Sequence, residues 1–294
     1  SGFTEKVTDY LLEEYARLGY SAKRTVKGGV IAEIGGEGDP ILTMAHVDTL
    51  GAVVAEIKSN GRLRLSPVGG FNANNTEAHN CRVYTYDGQI YEGTIQLADA
   101  SLHVNKEYST TQRTFQSVEV VLDEPVTSKD DVKALGITNG CFVCADPNLV
   151  VTNSGYIKSR FLDDKLSAAI LLGYAKYIRE NNITPLRKVY QHMTVFEEVG
   201  HGACASIPED VTELLSVDMG CVGDGLECTE RQVSICAKDG HGPYNYQVTT
   251  GLVNAAKKDS IDYAVDIYPF YGSDADAALS AGKDARHGLI GAGV

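Results

Sequence analysis

No apolar run in the sequence is long enough to cross a bilayer. The longest nearly apolar stretch, Ser167–Ile178, is interrupted by Lys176 and falls short of the ~20 residues that a span needs. Positive charge is scarce too. Against 39 Asp+Glu there are 26 Lys+Arg, a net charge of −13 at pH 7, which repels a nucleic-acid backbone and an anionic membrane surface alike. Neither nucleic acid nor membrane is therefore an expected partner. Internal repeats and low-complexity tracts are lacking, and the 30 glycines are scattered without a collagen period. The seven cysteines are odd in number and follow no signal-peptide pattern, which argues against a complete disulfide framework and for a soluble protein of the reducing cytoplasm. Cys141-Phe142-Val143-Cys144 matches C-x-x-C, but neither a second ligand pair nor a helix N-terminus accompanies it. It reads as a buried strand carrying small apolar thiols.

What is present is an ordinary globular mix, with 294 residues, 43% hydrophobic and 22% charged, enough for roughly two domains. Two textures alternate along it. Val7, Leu11, Tyr15 and Leu18 recur at helical spacing, and the short apolar runs Val30–Ile34 and Ile41–Val47 then read as buried strands. Between about Gly51 and Asn153 the pattern becomes all-β. Strands are expected at Ala52–Ile57, Arg62–Leu65, Cys81–Tyr86, Ile90–Leu97, Ser117–Leu122 and Gly140–Cys144, with turns at Asn60-Gly61, Gly69-Gly70 and Asp87-Gly88. After Asn153 helix and strand alternate again. Leu166, Ala169, Ile170, Gly173, Tyr174 and Tyr177 line one helical face, and Lys188–Phe196 and Glu213–Met219 read as strands. The simplest account is an α/β domain interrupted by an inserted β domain.

Chemistry gathers at the ends of the α/β strands. His46 closes an apolar run, and Asp48 lies two residues on, on the same side of a strand. One ring nitrogen can serve a metal while the carboxylate accepts the other N–H, although a lone H-x-D is equally a hydrogen-bonded strand-end histidine. Asp163 and Asp164 begin a helix, where acids also serve as ordinary caps. A strand-to-helix corner is, however, where open α/β sheets place ligands. Glu197 and Glu198 directly follow an apolar strand and precede Gly200. In strand-like geometry they point opposite ways, so one can hold a metal while the other handles a proton. Asp218 closes another apolar run, where it is otherwise a turn aspartate. One histidine and several carboxylates without cysteine describe a site for Zn²⁺, Co²⁺ or Mn²⁺, and a shared carboxylate allows two metals about 3.5–4 Å apart.

In order, AHVDTLG (45–51), FLDDKLSA (161–168), FEEVGHGA (196–203), SVDMG (216–220), KDGHGPYNY (238–246) and YGSDADAAL (271–279) resemble the metallopeptidase family of glutamyl and tetrahedral (TET-type) aminopeptidases. Some members of that family are labelled endoglucanase (cellulase M). The resemblance spans essentially the whole chain. It implies a mixed-sheet α/β catalytic domain of the zinc-peptidase (phosphorylase/hydrolase-like) type over 1–50 and 154–294. A small PDZ-like β-barrel over 51–153 would be inserted for dimerisation, with dimers building a homo-oligomer, a tetrahedral dodecamer. Two divalent metal ions are implied, Zn²⁺ or Co²⁺, with Mn²⁺ as a further option. His46 would bind the first metal with Asp48 orienting it, and Asp163 would bridge both. The family's often-cis peptide would join Asp163 to Asp164. Glu198 would serve the second metal and Asp218 the first. Glu197 would be the general base, taking a proton from the attacking water and passing it to the leaving amine. Acidic groups would hold the free α-amine of a short peptide, so that the N-terminal residue is released.

The same resemblance makes Gly240, His241 and Gly242 candidate substrate contacts, since glycine lets backbone approach a ligand. His201 either lines the cleft or faces solvent, and Ser273 either caps a helix or also faces the cleft. His103, in the β domain, reads as structural. The family's last histidine ligand, in an S-H-x-x-E-type motif, is expected beyond Val294, since His287 precedes the strand Gly288–Val294. Ser1-Gly2-Phe3-Thr4 resembles a turn that follows a first helix, so further residues are expected ahead of Ser1. Three alternatives stand beside this reading: a metal-dependent amidohydrolase or carboxypeptidase of the same fold, a glycosidase using Glu197 and Glu198, and a metal-free peptide-binding scaffold. Adjacent glutamates fit the glycosidase poorly, because its two carboxyls flank one bond at about 5–9.5 Å.

Overall fold

Thr8, Leu11 and Tyr15 place one stripe of the first helix, α1 (Glu5–Arg17), in the core, and Gly19 at φ +80° lets the chain turn out of it. The buried Tyr15 hydroxyl donates to Gln191 Oε1 at 2.8 Å, and the Gln191 amide donates to the Leu171 carbonyl at 2.8 Å. This polar chain ties α1 through the sheet to the helix on the same face. The computed structural model describes residues 1–294. They form two units, one of Ser1–Thr49 with Phe161–Val294, the other of Leu50–Arg160. No helix is long and apolar enough to cross a membrane.

In the first unit α1 leads to β1 (Ala22–Arg24), β2 (Val30–Gly35) and β3 (Ile41–His46). The second unit follows in sequence: β4 (Gly51–Ile57), β5 (Leu63–Val68), β6 (His79–Tyr84), β7 (Ile90–Leu97), β8 (Val118–Leu122), α2 (Lys129–Ala134) and β9 (Phe142–Ala145). Its strands close into a six-stranded antiparallel barrel in the order β4-β5-β8-β7-β6-β9, with β9 returning to β4. Alternate residues such as Ala52, Val54, Leu63, Leu65, Val83, Ile95, Val118 and Val120 fill it. Glu119 is buried as well, and its carboxylate is held at 2.6 Å by both Lys58 and Arg62. Cys141 is buried in this core and Cys144 is half-buried, and all seven cysteines are free. A short hairpin, β10 (Val150–Val151) and β11 (Ile157–Lys158), ends the unit.

The first unit resumes with α3 (Leu162–Glu180), β12 (Val189–Thr194), β13 (Glu213–Gly220), β14 (Val233–Lys238), α4 (Tyr246–Lys258), β15 (Tyr263–Ile267), α5 (Asp274–Ser280) and β16 (Arg286–Gly293). Eight strands form one mixed sheet, ordered β1-β2-β12-β3-β13-β16-β14-β15. β3 runs parallel to β12 on one side, with His46 opposite Thr194, and parallel to β13 on the other, with Met44 opposite Ser216. The carboxyl ends of β12, β3 and β13 therefore emerge at one edge, with His46 ending β3, Asp218 near the end of β13 and Glu197 just beyond β12. Parallel strands in register do what no local pattern can, gathering residues 46, 197 and 218 at the carboxyl end of a sheet.

The helical face of Leu166, Ala169, Ile170, Gly173, Tyr174 and Tyr177 does belong to a helix, but it is not the buried one. Ile170, Tyr174 and Tyr177 are exposed, and α3 packs through Ser167, Ala168, Leu171, Ala175 and Ile178. Apolar residues surround this helix, so their spacing alone does not choose the face.

Candidate metal centre

His46, 2% exposed, ends β3 inside a shell of carboxylates. Its backbone N–H donates to Asp164 Oδ2 at 3.0 Å, and its Nδ1 lies 3.0 Å from the carbonyl oxygen of Asp48. The orienting partner thus differs from the expected one, because the Asp48 carboxylate stands 3.7 Å away. That carboxylate instead accepts the backbone N–H of Glu197 at 3.1 Å and the Ser1 hydroxyl. A carbonyl can only accept, so Nδ1 carries a proton and Nε2 is the nitrogen turned to the site. Nε2 lies 2.9 Å from Asp163 Oδ1 and 3.5 Å from Glu197 Oε2.

The two aspartates at the head of α3 take different places. Their peptide bond is cis, and neither residue has helical φ/ψ. Asp163 is half-exposed and reaches His46. Asp164 is fully buried, one oxygen bound by the His46 N–H and the other without a hydrogen-bond partner. The two glutamates follow β12 after a left-handed residue, Phe196 at φ +69°. Contrary to the strand-like expectation, they open a single 3₁₀ turn, Glu197–Val199, closed by Gly200 at φ +83°. Asp218 is buried within β13, one oxygen accepting the Met219 N–H at 2.6 Å.

Donor atoms of His46, Asp163 and Glu198 lie within 4.8 Å of one another, as do those of His46, Asp164 and Asp218. His46 is common to both groups, whereas the resemblance gives the shared role to Asp163. Burial and mutual repulsion raise the acids: Glu197 to about 9, Asp218 to about 6, and Asp164 well above the carboxylate range. Burial disfavours a charged His46, but Asp163, Asp218 and Glu197 outweigh it and raise its pKa. Several buried carboxylates around one imidazole form an electrostatic well that a divalent cation stabilises. The orphaned Asp164 oxygen and the all-nitrogen-and-oxygen donor set fit such an ion.

His46, Asp163, Glu197, Glu198 and Asp218 line a cavity of about 440 Å³ together with Gly200, Gly202, Cys204, His241, Tyr271 and Ser273. Of the expected substrate contacts, His241 and Ser273 are therefore at the cavity, while His201, Gly240 and Gly242 are not among its lining residues. His201 stacks on Phe196, centroids 5.2 Å apart. Gly240 is pressed against the carbonyls of Tyr271 and Pro269, which a Cβ would meet at 2.9 and 3.2 Å. Gly242 adopts φ +139° in the same turn. His103 sits exposed in the barrel unit.

A further grouping of Asp239, His241 and Asp276 is already engaged. The Tyr244 hydroxyl sits 2.7 Å from Asp239, 2.9 Å from Ser273 and 3.0 Å from Asp276. Burial and the neighbouring Asp276 raise Asp239. Burial also pushes Asp276 up, but hydrogen bonds from His287, Asp239, Ser273 and Tyr244 outweigh it and hold Asp276 low. The Tyr244 hydroxyl between the two acids, with Ser273 donating to Asp276 at 2.9 Å, fixes the start of α5.

Sequence reasoning assigned no role to Lys27 or Tyr271 and gave Asp274 only a place in the capping segment Gly272-Ser273-Asp274. Lys27 donates to the carbonyls of His201 and Gly202, tethering the loop behind the glutamates. Asp274, 3% exposed, accepts the Ala203 N–H at 2.7 Å and the Thr194 hydroxyl. Tyr271 enters the cavity from the segment before α5. Only Asp274 carried a signal, in Gly272-Ser273-Asp274, while Lys27 and Tyr271 reach the site through tertiary contacts alone.

A family model described as M42 glutamyl aminopeptidase matches residues 28–294. A Bacillus subtilis (strain 168) protein named "Putative aminopeptidase YhfE" is 44% identical over 296 residues, covering 100% of this chain and 86% of that protein. Among solved structures, the TET1 peptidase of Pyrococcus horikoshii, described as assembling into a tetrahedron or a large octahedral shell, superposes with a TM-score of 0.86 at 23% identity. That match covers 100% of this chain and 86% of the other. An endoglucanase of Thermotoga maritima superposes with a TM-score of 0.72 at 18% identity, covering 100% and 84%. These two likenesses show the fold.

Proposed function

The chain belongs to the M42 family of glutamyl aminopeptidases, and from that premise we propose that it is a dinuclear metal-dependent aminopeptidase that releases the N-terminal residue of short peptides. The observation that carries this reading is the double grouping of carboxylates around His46 at the edge of parallel strands. His46, Asp163, Glu198 and Asp218 would hold the ions. Divalent cations held there supply Lewis-acid polarisation of a carbonyl and acidification of water. Glu197, half-buried and fixed through its backbone by Asp48, takes a proton from the attacking water and returns it to the departing amine.

The cavity's lining holds four acidic residues, Asp163, Glu197, Glu198 and Asp218, and neither Lys nor Arg. With no Lys or Arg to pair a C-terminal carboxylate, the lining favours an aminopeptidase over a carboxypeptidase of the same fold. A homo-oligomer joined through the barrel unit, dimers building a tetrahedral dodecamer, and a cytoplasmic setting belong to the same proposal. The assembly described for the Pyrococcus horikoshii TET1 peptidase supports a tetrahedral homo-oligomer.

The test is a panel of aminoacyl-anilides and tripeptides on the protein, with and without chelator and with Zn²⁺, Co²⁺ or Mn²⁺ restored. Release of the first residue, its loss with chelator and on N-acetylation of the substrate, and its return with metal are expected. Release of the C-terminal residue, or chelator-insensitive cleavage of a glucan, would overturn the reading. So would the absence of bound transition metal by elemental analysis.

A further inference from the structure

Donor atoms of His46, Asp163 and Glu198 lie within 4.8 Å of one another, so they take up one part of a cavity of about 440 Å³. Elsewhere its lining is short and uncharged. Gly202, Cys204, Ser273, Ala277 and Ser280 line it, and none of their side chains extends past a γ atom. Ala277 and Ser280 stand three residues apart in α5 and share one helical face. The Cys204 thiol donates to the Ala277 carbonyl at 3.5 Å, which joins the loop after the glutamates to that helix in one wall.

The charged groups next to this wall are committed elsewhere. The Lys27 ammonium donates to the carbonyls of His201 and Gly202. Asp274, beside Gly202, is buried and accepts the Ala203 N–H and the Thr194 hydroxyl. The second imidazole of the lining, His241, packs so closely on Gly272 that a Cβ there would meet its Cε1 at 2.6 Å.

An aminopeptidase substrate carries its free amine and its scissile carbonyl on one tetrahedral carbon. When both face the metal donors and Glu197, the side chain on that carbon turns away from them. A carboxylate or ammonium placed against an uncharged wall loses water without gaining a partner, whereas an apolar side chain gains about fourfold in affinity per methylene buried. We infer that the wall of Gly202, Cys204, Ala277 and Ser280 receives the side chain of the N-terminal residue and selects uncharged, apolar residues such as leucine and methionine over glutamate and lysine. The inference rests on the aminopeptidase reading above and names the substrate class of that site.

Pairs of aminoacyl-anilides of equal shape isolate charge: glutaminyl against glutamyl, and norleucyl against lysyl. With the metal-loaded protein, kcat/KM should be at least about tenfold higher for the uncharged member of each pair, and leucyl should exceed alanyl by about tenfold. Ala277→Leu fills the wall and should lower the leucyl-to-alanyl ratio by about tenfold, chiefly through KM. Ser280 is exposed, so Ser280→Arg is compatible with the fold, and the cation it adds should raise the glutamyl-to-glutaminyl ratio by about tenfold. Glutamyl equal to glutaminyl, or lysyl equal to norleucyl, in the wild type would overturn the inference and leave the functional reading intact. An equal loss on every substrate in Ala277→Leu, or an unchanged glutamyl-to-glutaminyl ratio in Ser280→Arg, would do the same. Absence of N-terminal release from every anilide by the wild type would overturn the functional reading, and this inference with it.

Discussion

The backbone N–H of Glu197 donates to Asp48 Oδ1 at 3.1 Å across 149 residues of sequence. The same aspartate lends its carbonyl to His46 Nδ1 at 3.0 Å. Asp48 therefore joins the loop carrying the proposed base to the strand carrying the proposed ligand. Asp48→Ala is expected to lower kcat/KM by about 10–100-fold, the usual effect of losing a partner that orients a metal-site residue. Asp48→Asn keeps an amide oxygen to accept the Glu197 N–H and should lose less. Steady-state kinetics on both variants, beside their metal content, decides this, and equal losses would show that charge rather than the hydrogen bond is what Asp48 contributes.

Glu197→Gln preserves shape and removes the proton acceptor. Turnover should fall by about 10²–10⁴-fold, the span of general acid–base catalysis, with bound metal unchanged. Metal content and single-turnover kinetics check it. Loss of metal with the fold intact would make Glu197 a ligand instead.

Asp163 and Asp218 belong to different groupings around His46. If Asp163 is shared by two ions, Asp163→Ala should weaken both together, whereas Asp218→Ala should weaken one more than the other. Metal titration followed by calorimetry distinguishes the two. A single lost ion in Asp163→Ala would move the shared role to another residue, and His46 is the one whose position in both groupings makes it the next candidate.

A Cβ at Gly202 would lie 1.9 Å from Asp274 Oδ1, a buried oxygen already bound to the Ala203 N–H. Gly202→Ala must therefore displace either the cavity wall or the start of α5. A cost of about 1–3 kcal/mol, the range for forcing atoms into a packed site, should appear in the denaturant midpoint, together with a lower kcat/KM. A variant of wild-type stability and activity would show that this wall yields without effect.

His46, Glu197 and Asp218 were legible in the sequence because each ends or directly follows an apolar run, and parallel strands bring such ends together. Ile90–Leu97 was legible to its limits, since turns bound it on both sides and its alternation matches a barrel wall. The face of α3 was not, because Leu171, Ala175 and Ile178 are no more apolar than Ile170, Tyr174 and Tyr177. The sheet decides between them. The detail of the centre escaped for a related reason. That Nδ1 of His46 meets a carbonyl and not a carboxylate depends on how the chain bends after β3, and Tyr271 reaches the cavity across a segment with no pattern of its own. Spacing reports which residues share an element, while the partner of each polar atom is set by elements that meet only in the fold.

His192 supplies a pH dependence remote from the proposed ligands. It is buried in β12, its Nδ1 has no hydrogen-bond partner, and burial, helped by the Lys27 ammonium, lowers its pKa to about 4. The unfolded chain takes up this proton below about pH 6.5, whereas the folded chain refuses it until about pH 4. Its contribution to stability is therefore complete above pH ~6.5 and is lost as the pH falls toward 4, by on the order of 3 kcal/mol in all. The raised carboxylates Glu197 and Asp218 act in the opposite sense, since a folded state that binds protons more tightly gains stability as the pH falls. The total curve mixes these terms, so the difference between wild type and His192→Asn isolates the histidine. Denaturant unfolding at several pH values should give the variant a shallower loss of stability between pH 6.5 and 4, whatever its stability at neutral pH. Parallel curves would mean that His192 is protonated in the folded protein, its ring compensated by a partner that opens to it in solution.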